Sequence, residues 1–254
     1  MWAVVIELIK LLNAQMTEHS VEEFVTTYQS RTPLALGELW GIPIMLRLGL
    51  LETIRVVAQD IINSRRDGNA AHMWADRLVA SCARKHEEVV NILYQMTRSG
   101  LKISNNFALA MAQRLQGADP LLSIVTAWLE QQLSLQGQQL EEVFNAEKHR
   151  NESHLVRLRN SIISLRFVSY QNWADFVERQ SYVEQLLRQD PLGLYNQQDF
   201  DSRDLCRHEV ERIARVNKTL SETHVALAVV QMCKESHKKY VNIAFHVVRT
   251  SVLE

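Results

Sequence analysis

A chain of 254 residues, 46% of them hydrophobic, can fill a substantial core, so a disordered polypeptide is excluded. Its 28 Lys and Arg nearly balance 29 Asp and Glu, for a formal charge of -1, which leaves no electrostatic surplus for a phosphate backbone and excludes nucleic acid as a partner. With 8 Gly and 4 Pro to mark turns, a β-rich fold is excluded too, and the chain reads as all-α: an irregular multi-helix bundle with a Pro-kinked central helix.

Trp2 to Ala14 forms a first apolar helix; it has no basic leader, and Glu7 and Lys10 interrupt it, which argues against a secretion signal. Ser20 opens a second helix, and Glu23, three residues on, completes a capping box, so the pair reads as a helical hairpin. From Pro33 to Asn63, Leu39, Ile42, Leu46, Leu50, Ile54, Val57 and Ile61 recur at spacings of three and four with few charges between them, marking the buried centre. Pro43 lacks an amide hydrogen and crowds the preceding turn, so it should break or kink this segment, with the longer helix starting near it. Arg65-Arg66-Asp67-Gly68-Asn69 reads as a polar break before helices over Ala70 to Ala83 and Glu87 to Arg98, ended by Gly100. Ser104 or Asn105 caps a helix to Gln116, and Asp119-Pro120 starts one that runs to Gln136 and closes at Gly137.

The segment from Gln139 to Val168 is the longest helical candidate, with Leu155, Leu158, Ile162 and Leu165 as its apolar seam. Glu141, Glu142 and Glu147 near its start and Arg157, Arg159 and Arg166 near its end follow the order that the helix dipole favours. Asn172 caps a helix to Arg188, which Asp190-Pro191 breaks; Asp201 caps one to Val216; Ser221 caps another through Glu235. The β-branched tail, Tyr240 to Val248, is a poorer helix former. No fixed period repeats, so the whole reads as a single helical domain, with a weak subdivision near residues 117–120. No stretch reaches the roughly 18 uncharged residues of a membrane span, since Arg47 breaks even Leu39 to Leu51.

Motifs that carry chemistry are missing. Cys82, Cys206 and Cys233 form no C-x-x-C pair and are odd in number, which suits a reducing compartment and buried, inert thiols on helix interiors. No Glu has a His three residues later and no His has a His four later; His208-Glu209 reaches Arg212 instead. The dinucleotide fingerprint, the phosphate loop and the nucleophile elbow are absent, so no catalytic residue, metal or cofactor is assigned. Asp199-Phe200-Asp201 has the Asp-x-Asp form by which glycosyltransferases hold a divalent cation, but here it precedes a helix that Asp201 can cap. Gly37 and Gly41 either leave a smooth strip for a second helix or merely loosen the segment before Pro43. Trp2, Trp74, Trp128 and Trp173 sit on apolar stripes and read as core.

The run from Tyr28-Gln29-Ser30-Arg31-Thr32-Pro33 through Leu39-Trp40-Gly41-Ile42-Pro43 to Leu46-Arg47-Leu48 resembles a segment of the bacterial cyclic β-1,2-glucan synthases. Trp128-Leu129-Glu130, Asn160-Ser161-Ile162 with Ser164-Leu165-Arg166, and Asp190-Pro191 with Tyr195, Asp199-Phe200, Arg203-Asp204, Arg207 and Val210-Glu211-Arg212 follow in the same order, extending the resemblance from about Val21 to Glu235. It implies the helical region near the amino terminus of those large inner-membrane enzymes, on the cytoplasmic side and ahead of a transferase that uses UDP-glucose. The transferase's Gln-x-x-Arg-Trp motif is missing here. Gly41 and Gly49 stand where the family tends to place Ala, and Ser236-His237-Lys238-Lys239-Tyr240 departs from the family's continuation towards Gly-Tyr-Tyr and the membrane, which suits a fragment, a short reading frame or an excised domain. The resemblance thus implies a non-catalytic module that scaffolds or regulates the transferase. Its partners would be the remaining synthase domains or another protein, met through a surface including Trp40, Arg47, Asn160, Arg166, Asp204 and Arg207. The alternatives are a free-standing helical protein-interaction adaptor, and a sugar- or nucleotide-binding enzyme with a pocket of Asp199, Asp201, Asp204 and Arg207.

Overall fold

The computed structural model describes residues 1–82, 86–100, 103–217 and 219–251, with only the course of the backbone for residues 86–87 and 237–251. All regular structure among them is helical, as the composition requires. They fall into two compact units, one made of Met1–Leu50 and the chain from Ile163 onward, the other of Leu51–Ile162.

In the first unit, α1 (Trp2–Leu11) ends three residues short of the expected Ala14, because Asn13 and Ala14 take the left-handed backbone conformation at φ 47 and 58. Ser164 holds that turn: its Oγ accepts from Met16 N at 2.9 Å and donates to Ala14 O at 2.7 Å. Helix α2 (Glu18–Gln29) is capped by Thr17 and not by Ser20; Thr17 Oγ1 accepts from Ser20 N, and Ser20 Oγ accepts from Thr17 N, so Ser20 is the inner half of the box. Trp2 is exposed, a correction to its reading as core, because α1 buries Val5, Leu8 and Ile9 instead.

Helix α3 (Leu36–Cys82) carries Pro43 in its interior, and its 47 residues run unbroken past it, so the break that Pro43 allows does not occur; they also run unbroken through the Arg65 to Asn69 stretch, which corrects the expected polar break. A proline in a helix interior costs roughly 3 kcal/mol. Against it stand Leu39, Ile42, Leu46 and Leu50, all buried on one face, each contributing on the order of 1.5–3 kcal/mol. Packing therefore outweighs the proline. Gly49 lies where a Cβ would overlap Ile9 Cδ1, so the missing side chain lets the Ile9 side chain of α1 lie directly on α3. The same core takes in Val168 at the end of α7 (Leu140–Tyr170) and Trp173 and Phe176 of α8 (Trp173–Gln180), whose rings meet edge to face at 5.2 Å.

The expected helix from Asn172 to Arg188 is in fact two. Asn172 caps α8, but Ser181 then leaves helical geometry at ψ 118 and caps α9 (Tyr182–Leu187) through Glu184 N. After Asp190-Pro191 come the short α10 (Leu194–Gln197), α11 (Phe200–Val216) and α12 (Glu222–Ser251), which carries the tail from Tyr240 to Val248 as helix. Asp199, not Asp201, caps α11, accepting from Ser202 N at 2.8 Å. A second core of Val183, Leu187, Tyr195, Val210, Val225, Ala226 and Val230 joins α9 to α12.

In the second unit, the later part of α3 packs with α4 (His86–Arg98), α5 (Asn105–Leu115), α6 (Ser123–Leu135) and the start of α7 around Trp74, Leu78, Phe107, Met111, Leu129 and Val143. Ala83, the expected end of one helix here, lies outside the described residues. Ser104 caps α5 as expected, and Asp119 caps a single 3-10 turn, Pro120–Leu122, that leads into α6. Gly100 and Gly137 adopt φ 66 and 74, the left-handed geometry that lets helices α4 and α6 end where expected.

The predicted seam of α7 holds in part: Leu158 and Leu165 are half-buried, and Leu165 packs against the first unit's core. Leu155 and Ile162 are exposed at 64% and 49%, while Glu147, His154, Ser161 and Val168, seven residues apart, point inward with Ser164. The inward groups are mostly polar, and Glu147 is neutralised by Arg150 at 2.9 Å while Ser161 Oγ donates to Arg157 O at 2.8 Å. Hydropathy therefore locates the buried face only in part. None of the cysteines is fully buried, which corrects the expectation of buried thiols: Cys82 and Cys206 are half-buried and Cys233 is exposed.

Candidate functional site

The densest constellation of charged side chains lies in the first unit, where the break at Ser181 turns α9 so that its acids meet the arginines of α11. Arg203 and Arg207, one turn apart on α11, share one helix face. Arg207 is wholly enclosed, at 0% exposure, and its guanidinium reaches Glu184 of α9 at 2.6 Å, Glu178 of α8 at 3.0 Å and Asp204 at 2.9 Å. Arg203 grips both oxygens of Glu178 at 2.8 and 3.0 Å, and Arg188 holds Glu184 at 2.8 Å. Tyr195 of α10 donates its hydroxyl to Glu184 Oε2 at 2.6 Å, and the Phe200 ring lies under Arg207 at 5.1 Å. Arg188, Arg203 and Arg207 thus face Glu178, Glu184 and Asp204, and the cluster is neutral in sum.

Burial opposes the charge on Glu178, but hydrogen bonds from Arg203 and Arg207 outweigh it and hold its carboxyl below the ordinary value. Burial likewise opposes the charge on Arg207, yet Glu184, Asp204 and Glu178 bind its proton more firmly than water would. Burial, and then the bond to Glu184, push the Tyr195 hydroxyl far up. Every carboxylate of the cluster accepts from a cation, so the arrangement is suited to clamping α8, α9, α10 and α11 in one register.

The start of α3 supplies a second polar assembly. Glu222 of α12 accepts from Leu36 N at 2.8 Å and Glu38 from Ala35 N at 3.0 Å, so two carboxylates cap the helix where its dipole favours them. A cleft of about 650 Å³ opens beside them, with Glu211 on its wall. Burial raises the Glu222 pKa, and the neighbouring Glu211 and Glu38 raise it further.

The structure unites few of the residues expected at an interaction surface. Asp204 and Arg207 bond each other, but Arg207 is sealed inside the cluster and cannot meet a partner, because its carboxylate ligands enclose it. Trp40 is half-buried, with an indole nitrogen that has no partner among the described residues, and Arg47 donates to Val168 O at 3.2 Å near the end of α7. Arg166 is exposed, and Asn160 is half-buried in the other unit. The pocket of Asp199, Asp201, Asp204 and Arg207 does not form: Asp199 is spent as a cap, Asp201 is exposed, and no group that could hold a metal ion occurs among the described residues.

Sequence reasoning missed Glu178, Glu184 and Arg188 altogether. A signal existed in the four-residue spacing of Arg203 and Arg207, but it matches any solvated helix face. Gln29 was also missed as a tie: its amide donates to Gln180 O at 2.9 Å and accepts from Leu34 N at 3.3 Å, joining α2, α8 and the approach to α3.

No helix among the described residues is long and apolar enough to cross a membrane. No family model matches the chain. Its sequence is 29% identical over 224 residues to the cyclic beta-(1,2)-glucan synthase NdvB of Rhizobium meliloti (strain 1021), a match that covers 88% of this chain. The chain spans 8% of the length of that protein. The resemblance carried by the Tyr28 to Leu48 run and the stretches after it is thus one to part of a cyclic β-1,2-glucan synthase.

Proposed function

We propose that this chain is a helical module of, or derived from, a membrane-bound cyclic β-1,2-glucan synthase, and that it scaffolds or regulates the UDP-glucose-dependent transferase without performing transfer itself. The observation that carries this reading is the extent of the match, in which nearly the whole chain aligns with 8% of a much longer synthase. The use of the polar interior agrees with it, since the buried charges of Glu178, Glu184 and Arg207 bind one another. Ile44 and Leu48 of α3 remain exposed and offer apolar contact area to the rest of such an assembly. Its partners are then the remaining synthase domains, at the cytoplasmic face of the inner membrane.

The experiment is complementation. The matching segment is deleted from a synthase and this chain is supplied separately; restored glucan synthesis and co-purification are expected. The isolated chain given UDP-glucose should yield no glucan. Product from the isolated chain, or a synthase indifferent to the deletion, overturns the reading.

A further inference from the structure

Two carboxylates of the first unit cap helices in opposite surroundings. At the start of α11, Asp199 is exposed and accepts from Ser202 N at 2.8 Å; bonds from the Ser202 hydroxyl and amide, with the charge of Arg203, hold its carboxyl below the ordinary value. At the start of α3, Glu222 accepts from Leu36 N at 2.8 Å, but it reaches there from the first turn of α12, 186 residues away in the chain, and it is half-buried.

The Leu36 amide is the single hydrogen-bond partner of the Glu222 side chain among the described residues, and no cation among them pairs with it. Its neighbours are acids instead. Glu38 of α3 and Glu211 of α11 stand beside it, and Glu211 Oε1 presses so close to the first turn of α3 that a Cβ on Gly37 would meet it at 3.3 Å. Arg215 of α11 is the nearby cation, but it bonds Glu211. His224, two residues along α12, meets Ser221 Oγ at 2.7 Å. Three carboxylates thus share one arginine here, whereas Glu178, Glu184 and Asp204 are each matched by a cation. Burial opposes the charge on Glu222, and Glu211 and Glu38 add to it; the Leu36 amide and Arg215 favour the charge but do not prevail, so the carboxyl lies above the ordinary 4.5.

We propose that the contact between the first turns of α12 and α3 is a proton-sensitive latch, which tightens when Glu222 takes up a proton from solvent and loosens when it releases one. Protonated Glu222 still accepts from Leu36 N through its carbonyl oxygen, and its hydroxyl becomes a donor for the carboxylates beside it. Ionised Glu222 sets a third negative charge against Glu38 and Glu211 in a half-buried place. Because the folded value lies above the ordinary one, the contact gains strength as pH falls through the folded value and loses it as pH rises through it, the reverse of a paired carboxylate such as Glu178. The cleft of about 650 Å³ bordered by Glu211 and Glu222 gives water, and with it protons, a path to the carboxyl. The latch stands apart from the proposed role in assembly, and either holds without the other.

The test is a pH titration of the full chain by nuclear magnetic resonance, following the Glu222 carboxyl carbon and the Leu36 amide, with the Ser202 amide as internal comparison. Glu222 is expected to titrate with a midpoint above 4.5, and the Leu36 amide to shift with the same midpoint. Hydrogen-exchange protection of Leu36, corrected for the intrinsic pH dependence of exchange, should be greater below that midpoint than above it. Ser202, capped by a carboxyl that titrates below 3.8, should hold its shift over that range. Glu38→Gln and Glu211→Gln each remove a negative neighbour and should lower the midpoint; Glu222→Gln should abolish the Leu36 titration. The first two variants keep the test decisive if Glu222→Gln fails to fold. A Glu222 midpoint at or below 4.5, a Leu36 amide indifferent to it, or protection that falls on protonation overturns the assignment.

Discussion

At Ser164 one hydroxyl serves two chain segments, accepting from Met16 N and donating to Ala14 O in a buried setting. Ser164→Ala leaves both backbone groups unpaired, and a loss of about 1–3 kcal/mol is expected as a lower urea midpoint with an unchanged slope. Arg207 is a graver case, because its removal abandons Glu178, Glu184 and Asp204 together; Arg207→Leu should cost about 3–5 kcal/mol in the same measurement. Glu178 predicts the response to acid. Its folded pKa lies below the ordinary 4.5, so it adds stability above that value and loses it as pH falls through the folded one. Thermal melting should therefore weaken below about pH 4.5, and less steeply in Glu178→Gln. Little of this was legible in the sequence. Asp204 and Arg207 stood out by resemblance as surface residues, because spacing on one helix cannot reveal that acids from two other helices will close over it.

Among the helices, those bounded by strong local chemistry were read well. Ser104, Asp119, Gly137 and Asn172 act where expected, because a cap is a property of neighbouring residues. The errors arose where distant packing decides. The Pro43 break disappears under the burial of Leu39, Ile42, Leu46 and Leu50, and the single helix to Arg188 divides where Ser181 turns Glu184 inward towards Arg207. The α7 seam held at Leu158 and Leu165 and failed at Leu155 and Ile162 for the complementary reason, since polar groups with partners can be buried in place of exposed apolar side chains. Pro43→Ala tests the first point. It restores an amide donor and relieves roughly 3 kcal/mol, against two lost methylenes at about 0.8 kcal/mol each. The variant is expected to be more stable by about 1 kcal/mol, read as a raised melting temperature.

For the molecule as a whole, the all-helical class was legible from scarce glycine and proline, whereas the units were not, because their edges lie inside helices α3 and α7 where composition does not change. The second unit is one continuous stretch with its own core of Trp74, Phe107, Met111 and Leu129. A polypeptide of residues 51–162 alone should be helical by circular dichroism and melt cooperatively; a broad, featureless melt would show that its core depends on the remainder. The first unit is drawn from two stretches far apart in the chain, and this has a consequence at birth. Val5, Leu8 and Ile9 are synthesised before Val168, Trp173 and Phe176, which complete their core and follow only after the intervening stretch, roughly ten to thirty seconds later at about 5–20 residues per second. For that interval the helices within Met1–Leu50 lack the part of their core that the later stretch supplies.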